Sequence, residues 1–104
     1  MRIGNDEIPD DAVAAMCSRW KIRRLEIFGS ARTGRLGPDS DIDLLAEFDP
    51  DEQWSLLDLA LAEEDFSSLF GRNVDLVDRK NLERSANRIR RDAILNSAEV
   101  VHVA

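Results

Sequence analysis

Three aspartates and one Gly-Ser pair are the residues whose types and spacing could do chemistry in this chain. Asp41 and Asp43 lie two apart in the run Ser40-Asp41-Ile42-Asp43-Leu44-Leu45. The run is strand-like, and strand periodicity puts both carboxylates on one face. Two carboxylates side by side repel each other and destabilise a sheet unless something positive lies between them. A hard divalent cation with oxygen ligands meets that need. Asp75, on a further strand-like run, would complete a set for two metal ions, the arrangement that serves in-line displacement at phosphorus. A ten-residue gap separates Asp41 from Phe28-Gly29-Ser30. That Gly-Ser pair falls where a strand gives way to a helical start. Glycine permits close backbone approach, exposed N–H groups can face an anion and the serine hydroxyl donates, as a triphosphate tail requires. Each piece alone is usually structural: a turn, a solvated strand end, an edge charge. Their combination at this spacing is the specific signal.

The elements that must position these residues follow from the apolar pattern. Ile8-Pro9-Asp10-Asp11 starts a helix that runs to about Trp20, with proline and two aspartates suited to the first turn. Ile22 to Phe28 reads as a strand ending at Gly29. Ser30 to Thr33 fits one short helical turn with Ser30 near its start, and Gly34, Gly37 and Pro38 then break regular structure. Asp41 to Phe48 is a second strand. Trp54, Leu57, Leu61 and Leu69 recur at about helical spacing, which predicts a long helix over 53–70 stopped by Gly71. Asn73 to Asp78 is a third strand. Asn81 then caps a basic helix from Leu82 to about Ala98, with Ile89, Ala93 and Ile94 facing inward, and Glu99 to Val103 adds a terminal strand. The alternation is that of a single α/β or α+β domain over 1–104, with no repeat and no linker.

Length and composition set the bounds. The 104 residues suffice for one core, and 43% hydrophobic with 34% charged residues are globular values. No apolar run approaches a membrane span, and the acidic N-terminus does not read as a signal peptide, so a cytoplasmic protein is expected. One cysteine, Cys17, and one histidine, His102, exclude a disulfide framework and a multi-cysteine zinc site, leaving carboxylates for any metal. Cys17 reads as a buried inert thiol, Trp20 and Trp54 as core or interface anchors, and His102 as a surface side chain. The net charge of −7 argues against broad nucleic-acid binding. The charges are segregated: eleven acidic and no basic residues lie between Asp39 and Asp65, while twelve of the fourteen basic ones fall in Arg19–Arg35 and Arg79–Arg91. Such separation suits a metal on one side and phosphates or an acidic partner on the other.

Over nearly the whole chain this pattern resembles the nucleotidyltransferase fold of the DNA polymerase beta superfamily, a small mixed β-sheet flanked by helices. More narrowly it resembles the minimal nucleotidyltransferases (MNT). Besides the first motif, the resemblance takes in Arg72-Asn73-Val74-Asp75-Leu76-Val77, the basic helix and the tail from Ile94-Leu95 to Val103. It implies Asp41 and Asp43 as ligands of two magnesium ions, with manganese fitting the same donors. It implies Asp75 as a metal ligand and candidate general base, and Gly29 and Ser30 as triphosphate contacts. The implied reaction transfers AMP from ATP to a hydroxyl and releases pyrophosphate. The implied partner is a HEPN toxin ribonuclease, neutralised by AMP added to a tyrosine or by direct binding. The Arg79–Arg91 helix or the acidic surface between Asp49 and Asp65 would be the docking face. The alternatives are an antitoxin that works by binding alone, and a small-molecule transferase built around a homodimeric cleft. One departure stands out: many members carry an arginine where this chain has Thr33. Arg32, one place earlier, would point about 100° away on a helical turn; whether it or Arg35 meets a phosphate stays open.

Overall fold

The computed structural model describes residues 2–3, 6–29 and 40–104. Ser30, Arg32, Thr33 and Arg35, with the helical turn expected there, lie outside the described residues. Two strands of two residues each, β1 (Arg2–Ile3) and β2 (Asp6–Glu7), pair antiparallel near the start of the chain. It is followed by α1 (Asp10–Arg19), β3 (Ile22–Phe28) and β4 (Ile42–Phe48). Then come α2 (Leu56–Phe70), β5 (Val74–Asp78), α3 (Arg79–Glu83), α4 (Arg88–Ser97) and β6 (Glu99–Val103). The main sheet has the order β5-β4-β3-β6, with β4 and β5 parallel and the other pairs antiparallel. It is the expected mixed sheet flanked by helices. Among the described residues no helix is long and apolar enough to cross a membrane.

Strand alternation sends β4 side chains to two cores. Ile42, Leu44 and Ala46 meet Leu25 and Ile27 of β3 and Leu76 of β5, under Val13 and Cys17 of α1 and Phe66 and Phe70 of α2. Leu45 faces the opposite side, where Phe28, Leu82 of α3 and Ile94 of α4 form a smaller cluster. Helix α2 begins with a capping box: the Asp58 N–H donates to Ser55 Oγ at 3.1 Å and the Ser55 N–H to Asp58 Oδ2 at 2.9 Å. It ends at Gly71, whose φ of +68° is the left-handed cap that glycine adopts without steric cost. Toward its C-terminus α2 is tied to β5. The Leu76 N–H donates to Glu63 Oε2 at 2.8 Å and the Val74 N–H to Ser67 Oγ at 2.9 Å. These bonds occupy backbone donors that an edge strand would otherwise leave to solvent.

Two expectations need correction. The basic segment is two helices rather than one, because its cap residues claim the backbone. Asp78, not Asn81, caps α3 by accepting from the Lys80 N–H, and Asn87 caps α4 by accepting from the Arg90 N–H at 3.1 Å. Between them Ser85 Oγ accepts from the Asn87 N–H at 3.2 Å, a local bond that competes with helix continuation. Starting α4 at Arg88 also turns Ile89 outward, 86% exposed, and leaves Ala93 exposed, so of the three residues expected inside only Ile94 is buried. The long helix starts at Leu56 rather than at 53, so Trp54 precedes it; Ala62, Phe66 and Phe70 are buried, Leu69 packs against the same core, and Leu57 and Leu61 are exposed. Trp20 and Trp54 do pack on each other, edge to face with centroids 5.7 Å apart, and the Trp20 indole N–H donates to Asp65 at 2.9 Å.

A buried charge joins β3 to the start of α3. Glu26, 5% exposed, receives Arg24 at 3.0 Å on one carboxylate oxygen and Arg79 at 2.6 Å on the other. Glu26→Ala leaves both guanidinium groups without this partner. As Arg24 and Arg79 keep partial access to water, the expected cost is about 1–3 kcal/mol, read as a lowered urea midpoint. Burial pushes the Cys17 thiol up to about 12. Cys17 should therefore resist a thiol reagent at pH 8 in the folded protein and react at once in denaturant, and rapid labelling of the native chain would contradict this packing.

Candidate active site

The parallel pairing of β4 with β5 decides where the carboxylates meet. Its register sets Asp43 beside Asp75 and Leu45 beside Val77, on strands about 4.8 Å apart. The antiparallel register of β3 sets Phe28 opposite Asp43, which brings Gly29 to the same rim of the sheet. Asp41 stands one residue ahead of β4 rather than within it, and is exposed; Asp43 is half-buried and Asp75 exposed. The rim is zipped by the Ile42 N–H donating to the Asn73 carbonyl at 2.9 Å. Arg72 reaches Asp6 at 3.6 Å and donates to the Ser40 carbonyl at 3.5 Å, holding the approach to Asp41.

Gly29 has a φ of +72°, which side chains other than hydrogen rarely tolerate. A Cβ there would collide with Asp43 Oδ2. The glycine is thus demanded twice, by its own backbone and by the carboxylate seated against it. Burial, and after it the charges of Asp75 and Asp41, raise the Asp43 carboxyl above its ordinary value, and Arg90 acts in the opposite direction. Arg90 is the residue that sequence reasoning passed over. It lies one turn ahead of buried Ile94 on α4, hence on the side of that helix turned toward Phe28 and Leu45. The signal was its four-residue spacing from Ile94, and it was masked by expecting Ile89 on the inner face.

The donor set is all oxygen, and like charges crowd one half-buried carboxylate. Both features fit hard divalent cations such as magnesium or manganese. As the side chains stand, no three acidic, histidine or cysteine groups among the described residues are gathered closely enough to hold an ion. The fit therefore rests on donor chemistry and strand register. Beside Asp41 opens a cavity of about 570 Å³, lined by Ser40, Arg72 and Asn73 from the rim and by Glu64, Ser67 and Ser68 from α2.

Two substitutions separate these contributions. Asp43→Asn removes the repelling charge, so without metal its melting temperature should equal or exceed that of the parent chain. Magnesium should raise the melting temperature of the parent and not of the variant. Gly29→Ala should lower stability by about 1–3 kcal/mol through its left-handed backbone and the clash with Asp43, and should abolish the magnesium response as well. Equal magnesium shifts in all three proteins would remove these residues from any metal site.

A family model described as "Nucleotidyltransferase domain" matches residues 10–100. The protein adenylyltransferase MntA of Thermococcus cleftensis is 38% identical over 65 residues, covering 62% of this chain and 64% of that protein. The chain thus matches somewhat less than two thirds of this curated relative's length. A solved structure of a minimal nucleotidyltransferase is 33% identical with a TM-score of 0.67, covering 86% of each chain. A toxin-antitoxin structure with AMP-PNP is 18% identical with a TM-score of 0.72, over 93% of this chain and 75% of that one, and shares the fold. Gly29, Asp43 and Asp75 lie at one rim of the sheet, and the family match spans that rim: the chain belongs to the nucleotidyltransferase domain family and groups with its minimal members.

Proposed function

We propose that residues 1–104 act as a single catalytic domain that transfers AMP from ATP to a hydroxyl on a partner protein, as the antitoxin of a HEPN/MNT pair. The observation that carries this reading is the register of Asp43 beside Asp75 at the rim reached by Gly29. The MntA name of the relative and the toxin-antitoxin complex with AMP-PNP support it. The acceptor would be a tyrosine of the toxin.

Asp41, Asp43 and Asp75 would hold two magnesium ions, which when bound offset phosphate charge and favour displacement at phosphorus. Asp75 takes the proton of the attacking hydroxyl. The new bond joins the acceptor oxygen to the α-phosphorus, the bond from that phosphorus to the bridging oxygen breaks, and pyrophosphate leaves. Gly29 and Ser30 contact the triphosphate. Arg90 adds a positive charge on the α4 side, reducing the repulsion that an incoming polyanion meets at the carboxylates.

The test is label transfer from ATP radiolabelled at the α-phosphate, with magnesium, with and without the product of the adjacent gene. Label should appear on that protein, and Asp43→Asn should reduce the rate by on the order of a hundredfold or more. A stable complex without label, formed equally by the variant, would instead establish an antitoxin that works by binding. Turnover without any protein partner would point to a small-molecule transferase.

A further inference from the structure

Strand parity decides which side of the sheet the chemistry faces. Asp43 shares a face with Leu45, and Asp75 with Val77, because side chains two apart on a strand point the same way. Leu45 is buried in the smaller cluster and Val77 packs against it, so the paired carboxylates open toward α3 and α4 and away from α2. Helix α4 is seated on that face by Ile94 and Leu95, in one cluster with Phe28. Phe28 stands directly opposite Asp43 in the β3–β4 register. The helix therefore passes beside the aspartates, and the residue one turn before Ile94 is Arg90.

Arg90 differs from several of the other arginines in having no anion of its own. Arg24 and Arg79 are held by Glu26, Arg72 by Asp6 and Arg91 by Asp92. Arg90 is exposed, and among the described residues its guanidinium takes part in no hydrogen bond or ion pair. Its charge nonetheless reaches Asp43. A guanidinium close enough to act on a carboxylate, yet not bonded to it, keeps its donors for another anion.

The sheet order indicates which anion. Gly29 ends β3, Asp75 lies on β5, and β4 with Asp43 runs between them. In an in-line displacement the nucleophile and the leaving group lie on opposite sides of phosphorus. With the departing phosphates at Gly29 and the acceptor hydroxyl at Asp75, the α-phosphorus lies between them, at Asp43. Arg90 thus meets the phosphoryl group in transfer rather than either of its flanks. The non-bridging oxygens of that group carry charge through the displacement, and a planar fork of N–H donors aimed at them stabilises it.

We propose that Arg90 is a ligand of the α-phosphate, its guanidinium donating to a non-bridging oxygen of the phosphoryl group as AMP passes to the acceptor. The inference rests on the AMP-transfer reading and adds a catalytic residue to it. The step is the one already balanced: Arg90 forms no covalent bond and gives up no proton, the acceptor proton goes to Asp75, and pyrophosphate departs. A directional bond to one oxygen differs from a general offset of charge, and that difference can be measured.

Transfer to the adjacent gene's product is measured with ATP and with each diastereomer of ATP that carries sulfur in place of one non-bridging α-oxygen. Arg90→Ala should lower kcat by on the order of thirtyfold or more, with KM for the acceptor within about threefold. Sulfur accepts poorly from a guanidinium, so one diastereomer should slow the parent chain several-fold more than it slows Arg90→Ala. Arg88→Ala removes the same charge about 120° around the helix from Ile94, and should leave the rates and both sulfur effects as in the parent. The thermal shift given by pyrophosphate with magnesium, a probe without an α-phosphate, should be the same in the parent and Arg90→Ala. Loss of that shift in the variant would assign Arg90 to the departing phosphates and overturn the proposal. Sulfur effects equal in the parent and Arg90→Ala for both diastereomers would overturn the contact, as would an equal fall in kcat for Arg88→Ala. A raised KM for the acceptor with kcat unchanged would move Arg90 to acceptor binding and overturn it likewise. Absence of label from the parent chain would overturn the transfer reading itself, a result distinct from equal labelling by the parent and Arg90→Ala, which overturns Arg90 alone.

Discussion

Everything at the site depends on one unfavourable interaction, the repulsion between Asp43 and the carboxylates around it. Strand register places Asp75 directly beside Asp43, and burial raises the cost of charge on Asp43 further. A fold selected for stability alone would not put two aspartates at paired positions of neighbouring strands. The sheet tolerates them because its two cores lie elsewhere along the same strands: Leu44 and Leu76 pair on one face, one position beyond the aspartates, and Leu45 is fully buried on the other. The frustration is local and the support around it is apolar.

That support works through backbone placement. Gly29 can hold a left-handed turn against Asp43 because glycine carries no side chain to occupy the carboxylate's space. Arg72 and the Ile42–Asn73 bond fix the entry to β4, so Asp41 is presented at the rim although it lies outside the strand. Glu63 and Ser67 bind β5 to α2, and this sets the helix whose next residues, Glu64 and Ser68, wall the cavity. Ser67 does both, binding the Val74 N–H of β5 and lining the cavity between Glu64 and Ser68.

Strand positions were legible because β3, β4, β5 and β6 carry period-two or continuous apolar runs bounded by glycine, proline or acidic turns. The three aspartates were singled out by type and spacing, and Gly71 was legible as a helix stop because a helix end favours a left-handed residue. The pairing of Asp43 with Asp75 was not. Register is a long-range property, and a one-residue slip of β5 would have turned Asp75 to the other face. The break at Ser85–Asn87 was hidden because its cap residues also occur in ordinary helices, so the pattern continued across them. The paired strands β1 and β2 were too short to carry a period. Leu57 and Leu61 gave a true helix signal without fixing its buried face: α2 packs through Ala62, Phe66 and Phe70, and apolar type alone does not say which side is buried.

The segregation of charge along the chain acquires a spatial meaning through α4. Its sequence is basic, yet Ile94 is buried in the smaller core with Leu95 packed against the same cluster, and one turn before Ile94 Arg90 exerts its charge on Asp43. Were α4 shifted by one residue, Arg90 would rotate by about 100° and its charge would act on solvent. The Asn87 cap, which fixes where the helix begins, therefore also fixes which arginine faces the carboxylates. A polar bond at a helix start and the packing of Ile94 and Leu95 together bear on the electrostatics of a site on a different element. The sign of that effect is opposite to the aspartates' own: it lowers the cost of keeping Asp43 ionised, the state in which a carboxylate can bind a cation.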